Sequence, residues 1–561
     1  MKTRAWIFWL ATIAVLVASA SWFCREPIHR WQQRRLLAAS QAFFRQGNLR
    51  SAYLSARQIL QNDPRNATAC ALLAQIADAA RSPEAVLWRQ RLVEIEPGQS
   101  GALLDLAATA VRLGEPFVAE QALAQVGERD RDTVAFHQIA AACALAAKQP
   151  ALADDHFQKA LQLDPKNETL QLNLATLRVG AAKENTATES RAVLDRLRKN
   201  PSLHQAATRA LLASARKRKD DETAMQLAAD LRQDAGATIE DRLLYLEELQ
   251  RRDDPKFAAD LKSLQAASKQ NPGQLYALMT WMNAHGLAAQ SIEWSATLPP
   301  GSRGQMPVPI AVAEAYTVLG EWTRLREVVA KAEWGELDFV RLAIHARALD
   351  EMSSHIRDPD FKLKWERAVI ATHGEPHSLA MLARLVGGWG WKTEATQLWW
   401  RIASGNSGQR PALKELQRIY TADKNTAELY RVARRALQLE PANPAMKNNA
   451  AMLALLLGSD TAEAHRFAGE NFRLAPGDPR IASTRAFSLH LQKRTREAVE
   501  IMAQLPEAVL RDPSVAACYG VLLAAAGDHE KARPFLEAAS QQRQQLFPEE
   551  IALVEAALKQ P

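Results

Sequence analysis

Cysteine is scarce in this chain, and no two cysteines are spaced as in a metal site. Among 561 residues there are four, at positions 24, 70, 143 and 518. Folds that depend on disulfides carry more cysteines, and structural zinc sites use cysteines two to four residues apart. We therefore expect neither a disulfide framework nor a zinc centre.

Alternating runs of β-branched and aromatic residues are also scarce, and aromatic residues make up only 6% of the chain. Alanine and leucine, which are good helix formers, dominate instead. At 561 residues the chain exceeds the size at which one compact core keeps growing. The composition predicts an all-α protein with several domains or a repeat array.

Concentrated charge of one sign is missing as well. The formal net charge is only +7, and basic and acidic residues are interleaved. The basic run 216–219 is followed at once by the acidic residues 220–222, as at a solvated helix end. No nucleic-acid partner is expected.

Catalytic motifs are absent. The sequence contains no phosphate-binding glycine loop, no dinucleotide-binding fingerprint and no nucleophile elbow. His529-Glu530 is not followed by a second histidine at 533, and the twelve histidines are scattered. We therefore expect no cofactor, no metal site and no enzymatic activity.

One long apolar run occurs, from Ala5 to Cys24. Twenty helical residues reach about 30 Å, the thickness of a bilayer's hydrocarbon core. Basic residues flank the run on both sides, and tryptophans lie near its ends, as at membrane interfaces. Residues 1–32 are predicted to form a transmembrane anchor with basic flanks.

A cleaved signal peptide is the alternative, with a candidate cleavage site at Ala18-Ser19-Ala20. The bulky Trp22-Phe23 pair and the arginines that follow favour the uncleaved anchor. The chain is thus predicted to be a single-pass membrane protein, with the bacterial inner membrane as the expected location. The charge flanks disagree about orientation, and we favour the extracytoplasmic side for the remainder.

Internal repeats are indicated by prolines at the ends of helical segments. Their successive gaps are 33, 68, 36, 71, 169 and 35 residues, close to multiples of 34. Proline is tolerated just past a helix end because it cannot continue the helix. The prolines are Pro64, Pro97, Pro165, Pro201, Pro272, Pro441 and Pro476.

The best-defined periods contain small residues at helical spacing and a glycine turn. His137, Ala140, Ala141 and Ala144 lie on one face of a helix, and the next helix carries a similar stripe. Gly47 and Gly527 stand where a chain turns between two helices, which requires a positive φ. The period therefore corresponds to a pair of helices.

These segments resemble tetratricopeptide repeats, with small residues in the first helix, glycine in the turn and proline at the end of the second. The resemblance covers residues 33–540 in about fifteen units. It implies a right-handed helix-pair solenoid in which neighbouring pairs share their core. It is strong at 33–66, 134–167, 376–406, 408–441, 445–476 and 513–540, and weak at 168–272 and 301–375.

The predicted organisation has four parts. The anchor at 1–32 is followed by two solenoid halves, 33–300 and 301–540, and by a C-terminal capping helix within 541–561. The boundary at 300 rests on the breaker-rich segment 299–304, which is predicted to be a loop or hinge.

In the resembling family, first helices line a concave groove that holds partner proteins or peptides. Asparagine there binds peptide groups, and lysine or arginine pairs with carboxylates. The matching or adjacent positions here are Asn173, Arg384, Lys414, Arg418, Asn448 and Asn449. The tryptophans 389, 391, 399 and 400 form the densest aromatic cluster, which more often serves core packing than binding.

The resemblance thus implies a membrane-anchored interaction scaffold, with cell-envelope or export assembly as the candidate pathway. Its partners would be proteins or peptides, with the bilayer contacted by the N-terminal helix. The alternative is an enzyme or carrier-assembly factor whose site is hidden in the irregular region 168–375. The sequence does not decide the oligomeric state.

Overall fold

A computed structural model describes residues 31–559, apart from 81, 83, 181, 182, 354–358, 406 and 407. All regular secondary structure in these residues is helical, so the all-α prediction is confirmed for them. Residues 1–30 of the predicted anchor lie outside the described part of the chain. Among the helices that are described, none is both long and apolar enough to cross a membrane.

The chain divides into two compact units, Met1–Leu278 and Met279–Pro561. The predicted boundary of the solenoid halves at 300 stays a prediction. Helices up to the division are α1 (31–45), α2 (Leu49–Asn62), α3 (Ala67–Ala79), α4 (Glu84–Ile95), α5 (Ser100–Arg112), α6 (Pro116–Gln125), α7 (Glu128–Arg131), α8 (Val134–Ala146), α9 (Pro150–Leu163), α10 (Glu168–Arg178), α11 (Glu184–Leu197), α12 (His204–Lys217), α13 (Asp221–Gln233), α14 (Ile239–Arg251), α15 (Phe257–Ser268) and α16 (Pro272–Ala284), which contains the division.

The remaining helices belong to the second unit. They are α17 (Ala288–Ala296), α18 (Pro300–Gly304), α19 (Val308–Leu319), α20 (Trp322–Lys331), α21 (Asp338–Met352), α22 (Pro359–Ala371), α23 (Pro376–Gly388), α24 (Lys392–Ala403), α25 (Gln409–Ala422), α26 (Thr426–Leu439), α27 (Pro444–Leu457), α28 (Thr461–Leu474), α29 (Pro479–Leu491), α30 (Thr495–Ala503), α31 (Glu507–Leu510), α32 (Pro513–Ala525), α33 (His529–Gln541) and α34 (Pro548–Leu558). Short 3₁₀ turns occur at Gly335–Leu337 and Arg543–Gln545.

The described helices form fifteen consecutive pairs, leaving out the short helices α7, α18 and α31 and the final helix α34. We call the two members of each pair its first helix and its second helix. Fifteen agrees with the number of units that the sequence predicts. Each first helix packs on the second helix of its own pair, as α8 does on α9. It also packs on the first helix of the next pair, as α5 does on α8. This nearest-neighbour packing lets neighbouring pairs within each compact unit share their core.

A recurring polar motif explains why one pair ends and the next begins at a proline. In Asp63-Pro64-Arg65-Asn66, the Asn66 amide donates to Asp63 (3.0 Å), and its oxygen accepts from the backbone N–H of Ala69 (2.9 Å). This side chain caps α3, while the proline prevents α2 from continuing. Asn167 with Asp164 and Asn443 with Glu440 repeat the arrangement.

Most described turns between first and second helices have a residue with positive φ, as predicted for Gly47 (75°) and Gly527 (88°). In other pairs a lysine takes this position, as at Lys148 (59°), Lys219 (58°) and Lys424 (53°). A side chain in this conformation costs about 1 kcal/mol. The turn therefore persists in pairs whose sequence lacks the glycine signal.

The core lies where small residues let two helices approach. Ala153 and Ala160 are fully buried in α9 beside Phe157, which is 3% exposed. Burying such a phenylalanine contributes about 2–3 kcal/mol. The described cysteines, Cys70, Cys143 and Cys518, are buried free thiols.

In the weakly predicted region 168–272, ion pairs join two successive first helices. Arg209 of α12 contacts the fully buried carboxylate of Asp241 in α14 (2.6 Å), and Arg216 contacts Glu248 (2.5 Å). Burial by itself would raise the pKa of Asp241, but hydrogen bonds from Arg209 and from Thr238 lower it overall. A pattern of apolar residues does not reveal these contacts.

Two local expectations were wrong. Pro272 does not close a helix but is the first residue of α16. Proline is tolerated there because the first N–H of a helix makes no hydrogen bond within the helix. The segment 299–304, predicted as a loop or hinge, contains the short helix α18. By contrast, α34 occupies the stretch in which the sequence predicts a final helix.

Candidate protein-binding surface

The predicted binding residues of the second unit lie on three successive first helices, α23, α25 and α27, and α29 continues the series. Prolines in the first turn of α23, α27 and α29 fix where these three helices begin. Asn443 caps α27 by accepting from Ala445 and Met446, and Asp478 caps α29 by accepting from Arg480 and Ile481. We call the exposed side of these four helices the first-helix surface.

Arg384 is exposed on α23, and its guanidinium lies 5.5 Å from the ring centroid of Trp399. A cation over an indole face gains about 0.5–1 kcal/mol at an exposed site. Trp399 itself is buried, as its core position predicts. The arginine is therefore held against the helix pair with its outer edge available to a partner.

Lys414 and Arg418 are both exposed on α25, one helical turn apart on the same face. Arg418 contacts Glu415 at 3.0 Å, with 70% of its side chain exposed. Such exposed pairs contribute well under 1 kcal/mol, so the arginine is easily diverted to a partner. Lys414 forms no ion pair with any described residue.

The two neighbouring asparagines of α27 differ. Asn449 is exposed, whereas Asn448 is only 6% exposed, and its Oδ1 has no hydrogen-bond partner among described residues. A buried amide oxygen without a partner costs about 1–3 kcal/mol. The adjacent Lys447 is already paired with Glu470 at 3.2 Å. Asn448 is thus a buried acceptor lacking a donor.

Asn173 lies in the first unit, on the first helix α10, and is half-buried. It belongs to a different compact unit from the other five predicted residues.

Charge distinguishes the first helices from the second helices in this part of the chain. Helices α23, α25, α27 and α29 contain seven basic residues and one acidic residue, Glu415. The second helices α24, α26, α28 and α30 contain eight basic and six acidic residues. Overall composition hides this asymmetry, although counting charge helix by helix would have revealed it.

The tryptophan cluster serves local packing. Trp391 is buried, and the half-buried Trp389 stacks against the Arg347 guanidinium, 4.8 Å from the ring centroid. Trp400 donates to the Tyr420 hydroxyl (3.1 Å) and lies 4.0 Å from the Arg431 guanidinium carbon. The rings of Trp389 and Trp400 are therefore occupied by the protein's own cations.

A contact that the sequence does not indicate joins the final helix to a much earlier turn. Lys424, between α25 and α26, donates to the Gln545 carbonyl (3.2 Å), and its Nζ lies 5.4 Å from the ring centroid of Phe547. Thr426 donates to Glu549 at 2.5 Å. Helix α34 also contacts α27 and α32. The last pairs are therefore closed by the protein's own C-terminal helix.

No group of three metal-binding side chains occurs among the described residues. In the region proposed for a hidden site, an open cleft of about 240 Å³ lies between α13, α14 and α15. Its charged residues include Arg232 and Asp260, which pair with each other, and its lining contains neither histidine nor cysteine. Asp260 supplies a carboxylate and Ser263 a hydroxyl to this lining.

No protein-family model and no curated protein matches the chain. A solved structure of Naa15/Naa10 bound to HypK-THB is similar over 94% of this chain and 79% of the matched chain, with 16% identity and a TM-score of 0.25. The APC/C hetero-tetramer Cut9-Hcn1 is similar over 82% of this chain and 96% of the matched chain, with 12% identity and a TM-score of 0.28. Because these TM-scores are low, the evidence for the helix-pair architecture is the arrangement of this chain's own helices.

Proposed function

We propose that the chain is a membrane-anchored scaffold that binds partner proteins or peptides through the first-helix surface of α23, α25, α27 and α29. The observation that carries the proposal is the seven-to-one excess of basic residues on those helices. Because Arg384, Lys414 and Arg418 are exposed, they are free to meet acidic groups.

One further feature supports binding at this surface. Asn449 offers an exposed amide that would suit the backbone of a bound peptide. Its neighbour Asn448 is buried, so its Oδ1 lies out of reach of a partner on this surface. The first unit, including Asn173, is left for additional partners.

The anchor and the location belong to the same proposal. Residues 1–32 would hold the chain in a membrane, with a bacterial inner membrane and the extracytoplasmic side as the proposed location. Cell-envelope or export assembly is the pathway class that we propose, and catalysis is not part of the role. The apolar run Ala5–Cys24 is the support for the anchor.

Charge reversal on α25 tests the binding surface. The tagged full-length chain and its Lys414→Glu/Arg418→Glu variant would be used to recover partners from detergent-solubilised membranes. The matched control is Lys531→Glu/Arg533→Glu on the second helix α33, whose two side chains are 72% and 77% exposed.

We expect a discrete set of partners that the control keeps and the α25 variant loses, with about 2–5 kcal/mol of binding energy lost if the cations face carboxylates. Equal recovery with all three chains would contradict the first-helix surface. Unchanged circular dichroism of both variants would establish that the helices remain folded.

The alternative function is an enzyme or carrier-assembly factor with a site in 168–375. A separate domain containing strands would have favoured it, but the described residues of that region form helix pairs. The cleft beside Arg232 and Asp260 is the remaining candidate. Loss of a biological function in an Asp260→Ala variant that keeps its partners would favour this alternative.

A further inference from the structure

The first helix pair carries an unusual run without acidic residues. No aspartate or glutamate occurs in 31–62, although these residues number 63 of 561, about one in nine. Five arginines lie in the same stretch, and all of them are exposed. They are Arg34, Arg35, Arg45, Arg50 and Arg57.

The basic residues of α1 share one face with an aromatic ring. At 3.6 residues per turn, positions 31, 34, 35 and 45 fall within about one third of the helix circumference. Trp31 is 60% exposed at that face, and the Arg35 guanidinium lies 5.5 Å from its ring centroid. The two other residues of this face, Ala38 and Ala42, are exposed and small.

Helix α2 repeats the pattern. Arg50 and Arg57 are seven residues apart and so lie on one face, with Leu54 between them and 59% exposed. Glu84 of α4 accepts a hydrogen bond from the Tyr53 hydroxyl of α2 at 2.8 Å. None of the five arginines forms an ion pair with a described residue.

Several exposed arginines elsewhere in the chain do contact carboxylates, as Arg494 does with Glu497 and Arg511 with Glu507. In 31–62 no such carboxylate is available within the stretch itself. Uncompensated arginines beside an exposed tryptophan and leucine are the composition of surfaces that rest on anionic lipid headgroups. Arginine pairs with a phosphate through two parallel hydrogen bonds.

We propose that the exposed faces of α1 and α2 lie against an anionic lipid bilayer and bind its phosphate headgroups, with Trp31 and Leu54 entering the interface. This rests on the proposed anchor, because residues 1–32 would bring α1 to the membrane surface. The first helix pair then fixes how the array leaves the membrane.

The test uses the full-length chain in lipid nanodiscs. Leu54→Cys carries an environment-sensitive fluorophore, with Cys24→Ser so that only the introduced thiol reacts, since Cys70, Cys143 and Cys518 are buried. The discs contain phosphatidylcholine alone, or phosphatidylcholine with roughly one third phosphatidylglycerol to supply anionic headgroups.

We expect a blue shift of the fluorophore in the anionic discs only, and its loss at high salt. Arg45→Glu/Arg50→Glu/Arg57→Glu should abolish the shift, since each arginine contributes roughly a five-fold preference for the anionic surface. The neutral Arg45→Gln/Arg50→Gln/Arg57→Gln should reduce it. The control Arg511→Glu/Lys531→Glu/Arg533→Glu should keep it.

Other outcomes overturn the proposal. Equal emission in neutral and anionic discs would exclude headgroup contact. Reversal of the shift by inorganic phosphate at constant ionic strength would indicate a free-phosphate site, and reversal by single-stranded RNA would indicate a nucleic-acid surface. Failure of the chain to enter neutral discs would contradict the transmembrane anchor but not the headgroup-binding surface. Binding to anionic discs in that case would still support the headgroup-binding surface.

Discussion

Single residues show where sequence patterns stop being informative. Asn448 and Asn449 are adjacent and chemically identical, yet one is buried without a partner for its oxygen and the other is exposed. A position within a repeat predicts the helix face only to about one residue, or 100°. The exposure of Arg384, Lys414 and Arg418 follows from their charge, whereas the orphaned oxygen of Asn448 depends on packing.

His345 makes the stability of the second unit depend on pH. It is 6% exposed in α21, and burial first, then Lys364 and Arg341, lowers its pKa to about 4. Arg326 acts in the same direction, while Asp360 opposes it. The unfolded histidine titrates near 6.5, so stability is complete above that pH and is lost as pH falls through 6.5 towards 4.

We expect the apparent melting temperature of wild-type protein, followed by tryptophan fluorescence, to fall between pH 7 and pH 4.5 more than that of His345→Leu. The full loss from the wild-type histidine is about 3 kcal/mol. His377→Leu, at an exposed histidine of α23, is the control and should behave as wild type. Parallel curves for wild type and His345→Leu would show that the buried ring does not titrate in this way.

At the scale of elements, close helix crossings explain why small residues recur. Gly520 of α32 faces Leu536 of α33, and a Cβ at this glycine would lie 2.8 Å from the Leu536 side chain and 3.1 Å from its backbone nitrogen. The leucine tip could shift, but the backbone atom could not. The pair therefore requires glycine for packing, although the residue is helical.

Gly520→Ala is expected to destabilise the pair α32 and α33 by about 1–3 kcal/mol, since overpacking outweighs the better helix propensity of alanine. Hydrogen exchange in both helices should accelerate. Gly101→Ala in α5, where a Cβ would meet no atom within 4 Å, is the matched control and should be neutral or slightly stabilising. Unchanged hydrogen exchange in Gly520→Ala would mean that the helices accommodate the added Cβ without loss of stability.

Much of the element order could be predicted, and the failures have physical causes. Prolines and glycine turns mark the helix pairs at both ends of the chain, because helix ends favour proline and turns with positive φ favour glycine. In 168–272 the same turn is made by Lys219, and buried ion pairs such as Arg209 with Asp241 add to the packing. Lysine at positive φ and a buried carboxylate carry no signature in an apolar pattern.

For the molecule as a whole, neighbour-to-neighbour packing should keep damage local. Leu212 is 1% exposed in α12, which contacts α10, α11 and α13. Leu212→Ala should cost about 2–5 kcal/mol and speed hydrogen exchange in α10–α13 while leaving α2 and α3 of the same unit unchanged. Uniform acceleration throughout that unit would instead indicate all-or-none unfolding.

The contact of α34 with the turn at Lys424 has a consequence for how such a chain can grow. Repeat arrays lengthen by duplication of a helix pair. A duplication between α26 and α32 would insert a pair between Lys424 and Gln545. It would break the hydrogen bond from Lys424 Nζ to the Gln545 carbonyl oxygen, which are 3.2 Å apart. A duplication ahead of α25 leaves both partners of this hydrogen bond in place. The number of pairs is therefore constrained within the C-terminal stretch and free to vary before it.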